Sequence, residues 1–370
     1  MAEQAARGAE GRTLLTLIGL GVVIGAPAAL VACLFLVAVH EIEHWLWVAV
    51  PDLLGRDSPP WYLVVGLPAV GGVVVWVARR YLPGDGGHTP LQGIGGGTTP
   101  LRYVPSIALA ALGSLPFGAV LGPEAPLIAL GSAVGVTVAP LVNLDAKGML
   151  VIGTAGSFSA VSALFGGPLV ASFLLLESGL SAGAMLVPAL LPGLVAAAVG
   201  YLLFIGVGDW PGLDEVGLAV PDLPAYEGTH VVDLLLGIAV GVLTALVLGV
   251  TRRLAERIDQ VTARHHLLLA LALGGLTIGL LAQTARGLGA SADEILFSGQ
   301  AAVPAAVSET SLGVLLVILV LKSIGYAVSL GCGFRGGPVF PAIFIGVVIA
   351  TFAVVMFDTS PTWAVAVGAA

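Results

Sequence analysis

"VLGPEAPLIALGSAVG", from Val120 to Gly135, carries one acid, Glu124, set between Pro123 and Pro126 and bracketed by Gly122 and Gly131. The sequence on either side is apolar and nearly free of charge. Over the whole chain, 58% of the 370 residues are hydrophobic and 10% are charged, with a mean hydropathy of +1.05. Soluble domains carry about 25% charged residues, so the composition reads as an all-α, polytopic integral membrane protein. The net charge of −8 sits mostly between apolar runs and says little about a substrate. No nucleic-acid partner is expected. Cys33 and Cys332 lie in or beside apolar runs and read as core residues without a disulfide. The first apolar run is the length of a span and lacks a clear cleavage site, so it reads as a span and not as a signal peptide.

Working outward, apolar runs at about 13–39, 61–80, 183–206, 230–250, 266–285 and 311–332 predict membrane spans. "HEIEHWLWVAVPDLLGRDSPP" follows the first span and reads as an interfacial segment, wet at one end and aromatic in the middle. Arg7 and Arg12 precede the first span, Arg79 and Arg80 close the second, and Arg252, Arg253 and Arg257 close the 230–250 span. The positive-inside bias puts all of them, and the N-terminus, in the cytoplasm. The acidic, proline-rich linker before residue 230 reads as extracellular.

From 84 to 180 the apolar stretches are short and broken by Gly and Pro. Broken helices at membrane depth survive only where the backbone faces protein or a wet cavity, as at the substrate sites of many transporters. A second broken stretch, "GCGFRGGPVFPAIFIGVVIA", comes near the end of the chain. "GPEAPLIALG" and "GGPVFPAIFIG" share a Gly–x–x–x–Pro start and stand roughly 210 residues apart, the pattern of an internal repeat with its site at the repeat interface. The chain is expected to be one membrane domain, 1–370. Its first repeat runs over about 13–206. Its second, over about 230–370, is expected to be incomplete at its C-terminal end.

These residues resemble the chloride channel and proton-coupled chloride antiporter family, as a divergent prokaryotic-type member. The family's Gly–x–Glu–Gly–Pro motif is similar to "GPEAP" at 122–126. Its Asn–Ala–Pro–Leu–Ala motif ending in Glu resembles "GGPLVASFLLLES" at 166–178. Its Gly–Gly–Ile–Phe–x–Pro motif, after a helix bearing Lys or Arg, resembles "GGPVFP" at 336–341, with Lys322 fourteen residues before. Order and spacing agree along nearly the whole chain. The resemblance implies an inverted repeat of broken, tilted helices, an anion path and a homodimer in the cell membrane. The departures are specific. The family's filter serine falls at Gly87 in "GGHTP" (86–90). The antiporters' internal proton glutamate falls at Ser178, one residue after Glu177. The family's last helices, with a filter tyrosine and part of the dimer interface, would lie beyond Ala370.

The chemistry asks for positive potential without a tight trap. Helix N-termini supply free N–H groups and about half a unit charge. Glycine lets backbone approach the ion, and a proline at a helix start removes a donor that would be unpaired anyway. The candidate anion site is therefore Gly122, Pro123, Glu124 and Ala125 with Gly337, Pro338, Val339 and Phe340, and Gly87 and His88 are candidates beside it. Ionised, Glu124 would occupy the anion site; protonated, it would swing away. The resemblance implies that role of gate and proton carrier. The alternative is a first-turn acid favoured by the helix dipole, but ionisable groups inside a membrane are functional by default. His88 and Thr89 either donate in place of the missing hydroxyl or form a turn and a helix cap. Glu177 either faces water or relays protons to Glu124. Lys322 either pairs with a carbonyl or acid or adds positive potential to the path. Arg335 either draws anions or snorkels. Tyr103, Tyr201 and Tyr326 read as packing residues.

"GIGGGTTP" is glycine-rich but lacks the Lys of a P-loop. "HEIEH" at 40–44 fits His–Glu–x–x–His through His40, Glu41 and His44, which makes a zinc intramembrane protease the runner-up from another class. No later segment supplies an obvious third ligand, so no metal or other cofactor is expected. The reading is a transporter and not an enzyme: it moves chloride or a similar small anion, fluoride included, as a channel or in exchange for protons.

Overall fold

The computed structural model describes residues 2–94, 97–162, 164–178, 186–206, 223–226, 228, 230–264 and 266–370, and their side chains from residue 14 onward except at 174–178 and 186–188. The described residues form helices without strands. In chain order these are α1 (Ala2–His44), α2 (Val50–Leu53), α3 (Trp61–Tyr81), α4 (Val104–Ser114), α5 (Glu124–Val138), α6 (Ala146–Ser162) and α7 (Pro168–Ser178). There follow α8 (Leu186–Gly206), α9 (Val231–Thr262), α10 (Leu267–Gly287), α11 (Val303–Ser308), α12 (Leu312–Gly331), α13 (Val339–Phe357) and α14 (Pro361–Ala369). Eight helical stretches among the described residues are long and apolar enough to cross a membrane. Most of the linker before residue 230 lies outside the described residues.

Helices meet where small residues let backbones close up. Gly131 of α5 faces Gly156 of α6, Gly25 of α1 faces Ala196 of α8, and Gly275 of α10 faces Pro68 of α3, each too near for an added Cβ. The α3–α10 pair joins the two halves of the chain. It also sets their polarity. Arg286, at the end of α10, donates to the Pro59 carbonyl just before α3, at 2.8 Å. Arg79, near the end of α3, donates to the Gly333 carbonyl after α12, at 2.9 Å. The loop after α3 and the loop after α10 therefore lie at opposite faces.

The stretch read as interfacial continues α1 through a π-helical turn, Trp45–Ala49, into α2. Leu46 and Trp47 are buried, and the Trp47 indole donates to the Pro116 carbonyl at 2.8 Å. Its ring meets Phe297 edge-on, with centroids 5.3 Å apart. A buried indole finds its hydrogen-bond partner inside the protein, while Trp45 of the same stretch stays exposed.

Candidate functional site

α5 and α13 begin alike. Proline is the N-cap residue of both, Pro123 and Pro338, and neither offers a side-chain acceptor to the first turn. A second proline, Pro126 or Pro341, stands at the third helical position, where its missing N–H costs no helical bond. Each helix thus opens with amides that nothing on its own chain side caps.

The two starts meet. Gly122 and Gly337 form an antiparallel bridge, with Gly122 N to Gly337 O at 2.8 Å and Gly337 N to Gly122 O at 2.6 Å. Around it the chain exchanges matching contacts. Val120 N donates to Ser329 Oγ at 2.9 Å, and Arg335 N donates to Ser114 Oγ at 3.0 Å. Each serine in turn donates one turn back, Ser114 to Ala110 O and Ser329 to Gly325 O, both at 2.9 Å. Gly118 and Gly333 both take positive φ, +93° and +91°, and so do Gly84 and Gly299. Every one of these pairs is 215 residues apart (337 less 122, and so on). A two-fold frame of backbone and serine hydroxyls therefore holds the two helix starts nose to nose.

Glu124 lies at the centre, with no exposed surface. Its Oε1 accepts from Val339 N of the opposite start at 2.5 Å, and the amides of Phe340 and of Glu124 itself also bear on the carboxylate. A Cβ on either Gly122 or Gly337 would run into that carboxylate, so both positions need glycine for close approach. Phe340 walls the seat, stacked on Phe165 with centroids 5.4 Å apart. Oε2 is buried without a hydrogen-bond partner. Such a group calls for a reason. Tyr326, read as packing, is buried and donates to the Pro338 carbonyl at 2.7 Å, which fixes the turn before α13.

The remaining candidates separate. Gly87, with φ +89°, packs beside Ile107. His88 lies near Arg335; burial first, and then that charge, hold its pKa below the usual histidine value. Neither makes a described contact with Glu124. Thr89 stands at the N-cap of the 3-10 turn Pro90–Gln92 but its side chain makes no cap bond, and its hydroxyl accepts from Arg335 Nη1 at 2.8 Å. Arg335 does not snorkel. It is 3% exposed and donates to Asp85 through Nη2 (2.6 Å) and to the Asp85 carbonyl through Nε (3.0 Å). Asp85 was not singled out by the sequence reading, because an acid in a Gly-rich loop looks like any turn residue. Ser114 and Ser329 were missed as well, although each stands eight residues before its bridging glycine.

Lys322 is fully buried and donates to the carbonyls of Leu296 and Phe297 at 2.7 and 3.1 Å, as the structural reading of it expected. Asp293 and Glu294, on the same loop, are held above the usual carboxylate range chiefly by burial, with the Lys322 charge opposing. Glu177 sits on the last turn of α7, with its side chain outside the described residues. Cys33 and Cys332 are both buried and unpaired with each other. His40 and His44 stack on one face of α1 with centroids 6.4 Å apart. Among the described residues no group of three His, Cys, Asp or Glu could hold a metal.

Paired, uncapped helix starts that share an intramembrane carboxylate define a helical anion-transport protein. The family model described as "Voltage gated chloride channel" matches residues 70–370, and the chain belongs to that family. It is 28% identical over 353 residues to the "Putative ion-transport protein YfeO" of Escherichia coli O139:H28 (strain E24377A / ETEC), covering 92% of this chain and 79% of that one. Among solved structures it is similar to a slow cyanobacterial Cl−/H+ antiporter, with a TM-score of 0.75 at 18% identity, covering 95% of this chain and 84% of the other. It is also similar to a CLC-type fluoride/proton antiporter, with a TM-score of 0.72 at 22% identity, covering 96% and 85%. The protein is therefore a multi-pass membrane member of a transporter family, and nothing points to a protease.

Proposed function

We propose that the chain carries chloride or a similar small anion between the α5 and α13 starts, with Glu124 as the gate. The observation that carries this is the Glu124 carboxylate resting on the Val339 amide of the opposite start. The amides of Val339 and Phe340 hold the anion, while Gly122, Pro123 and Ala125, with Gly337 and Pro338, shape a seat that only glycine leaves open. Bare amides bind without the excess affinity of a buried Lys or Arg, which suits an ion that must also leave. When an anion takes the seat, the carboxyl leaves it, and protonation lets it do so uncharged. The same group then gates the anion and carries a proton.

Gly87 and His88 form the approach from the α3 end, and Glu177 is the candidate that passes protons to Glu124. Residues 13–206 and 230–370 act as the two repeats. The N-terminus faces the cytoplasm, the membrane is the cell membrane, and two copies of the chain form the working unit. The names of the similar proteins, which include ion transport, Cl−/H+ antiport and fluoride/proton antiport, support the choice of cargo. Gly87, without a hydroxyl, leaves fluoride as the second candidate beside chloride.

The test is reconstitution of the full chain into liposomes with paired anion and proton flux. Protons driven uphill by a chloride or fluoride gradient establish exchange; anion flux without them establishes a channel. Glu124→Gln keeps the acceptor for Val339 and loses the proton, so proton flux should vanish. Proton flux that survives this change would remove Glu124 from its role.

A further inference from the structure

Val120 and Arg335 occupy the same place in the two halves. Their backbone amides do the same work, each donating to the serine of the other half. Val120 is fully buried and apolar, so the frame does not require a charge here. Nor is a buried ion pair a strong reason for stability, since apolar replacements are often as good or better. The Arg335 side chain therefore needs a separate explanation.

Its surroundings give one. Arg335 and Arg79, which are 3% and 15% exposed, share a single carboxylate, that of Asp85, which is 60% exposed. Arg79 donates to both Asp85 oxygens, at 2.9 and 3.0 Å, and Arg335 donates to Oδ2 at 2.6 Å. His88, with its depressed pKa, is neutral at pH 7. Two guanidiniums against one carboxylate leave this loop one unit positive, and most of the positive charge sits on the buried side. Two residues further on, Gly337 enters the Glu124 seat. Around the opposite loop the balance is reversed: two cations, Lys322 and Arg286, stand among three carboxyls, Asp293, Glu294 and Glu309.

We infer that Arg335 is a specificity-determining residue of the anion path: it makes the 85–89 loop the positive mouth, where monovalent anions collect before reaching the Val339 and Phe340 amides, and Asp85 moderates that pull. The inference rests on the anion-transport reading above. A cleft lined by one sign of charge raises the local concentration of its counter-ion. The two members of this ion pair therefore act on affinity in opposite senses.

Liposomes holding the full chain, assayed for initial chloride and fluoride flux against anion concentration, test this. Arg335→Met should raise KM on one side of the membrane by on the order of tenfold, the lower end of what such fields contribute, with a smaller change in kcat. Asp85→Asn should lower KM on that same side. Arg335→Lys, which keeps the charge and loses the fork, should stay near the parent KM and controls for misfolding of the Met variant. A merely structural tie would move KM in the same direction for Arg335→Met and Asp85→Asn, and that result overturns the inference. Unchanged KM in both variants, with the parent transporting normally, overturns it alone. A parent chain without any anion flux overturns the transport reading and this inference with it.

Discussion

The α5 and α13 starts share one backbone plan and differ in charge. Glu124 stands where the other half has Val339, and Arg335 stands where the other half has Val120. The prolines, the bridging glycines and the serines that accept the facing amides are duplicated. Duplicated parts set the distance between the helix starts, which either half must respect. The unpaired charges break the equivalence, and in the proposed reading they give the path a direction and a gate. Framework and function are thus carried by different atoms of the same residues, as at Arg335, whose N–H serves the frame while its guanidinium faces Asp85.

The comparison can be broken most sharply at the acid. Glu124→Val makes the two starts alike, and anion flux should then lose its pH dependence altogether; a pH profile that persists would place the gate elsewhere.

The serines test the two-fold directly. Ser114→Ala and Ser329→Ala each strand one buried amide, at a cost of about 2 kcal/mol, and equivalence predicts the same loss from both. Unequal losses in thermal unfolding would show that the frame leans on one half. The bridging glycines come next. Gly337→Ala puts a methyl where the Glu124 side chain rests. Because the Glu124 carboxyl can leave that seat, apparent stability in detergent should fall by only about 1 kcal/mol, the lower end for overpacking, and Glu124→Ala in the same chain should recover part of it. No recovery would mean that the methyl meets something else. The smallest effect belongs to His88. Its folded pKa is below the ordinary value of 6.5, by burial first and by Arg335 second. Below that ordinary value the unfolded chain binds more protons than the folded one, so stability drops as pH is lowered through and beneath it. His88→Gln should flatten that part of the stability–pH curve, and an unchanged slope would assign the titration to another group.

Much of this was legible in the sequence. The helices α3, α10 and α12 fall close to their predicted ranges because a long apolar run is a local property of the chain, whereas α9 runs on to Thr262, and α5 and α13 belong to span-length helical stretches in sequence read as broken. The two Gly–x–x–x–Pro starts were also visible, since proline and glycine act on their own backbone. What escaped was contact between distant residues. The aromatic stretch after His44 reads as interfacial because Trp and Tyr favour that level, yet the Trp47 indole is claimed by Pro116, 69 residues away. For Arg335 the sequence left drawing anions and snorkelling both open, because nothing near it in sequence is acidic and its partner Asp85 lies 250 residues back. The contact of Thr89 with Arg335 escaped for the same reason.

By itself the sequence determined the membrane class, the family and the presence of one acid in an apolar helix start, because hydropathy and first-turn chemistry depend on near neighbours. The tertiary structure alone decided that the acid rests on the amides of the other half. That contact exists only because Gly122 and Gly337, 215 residues apart, lack the side chains that would hold the two helix starts away from each other.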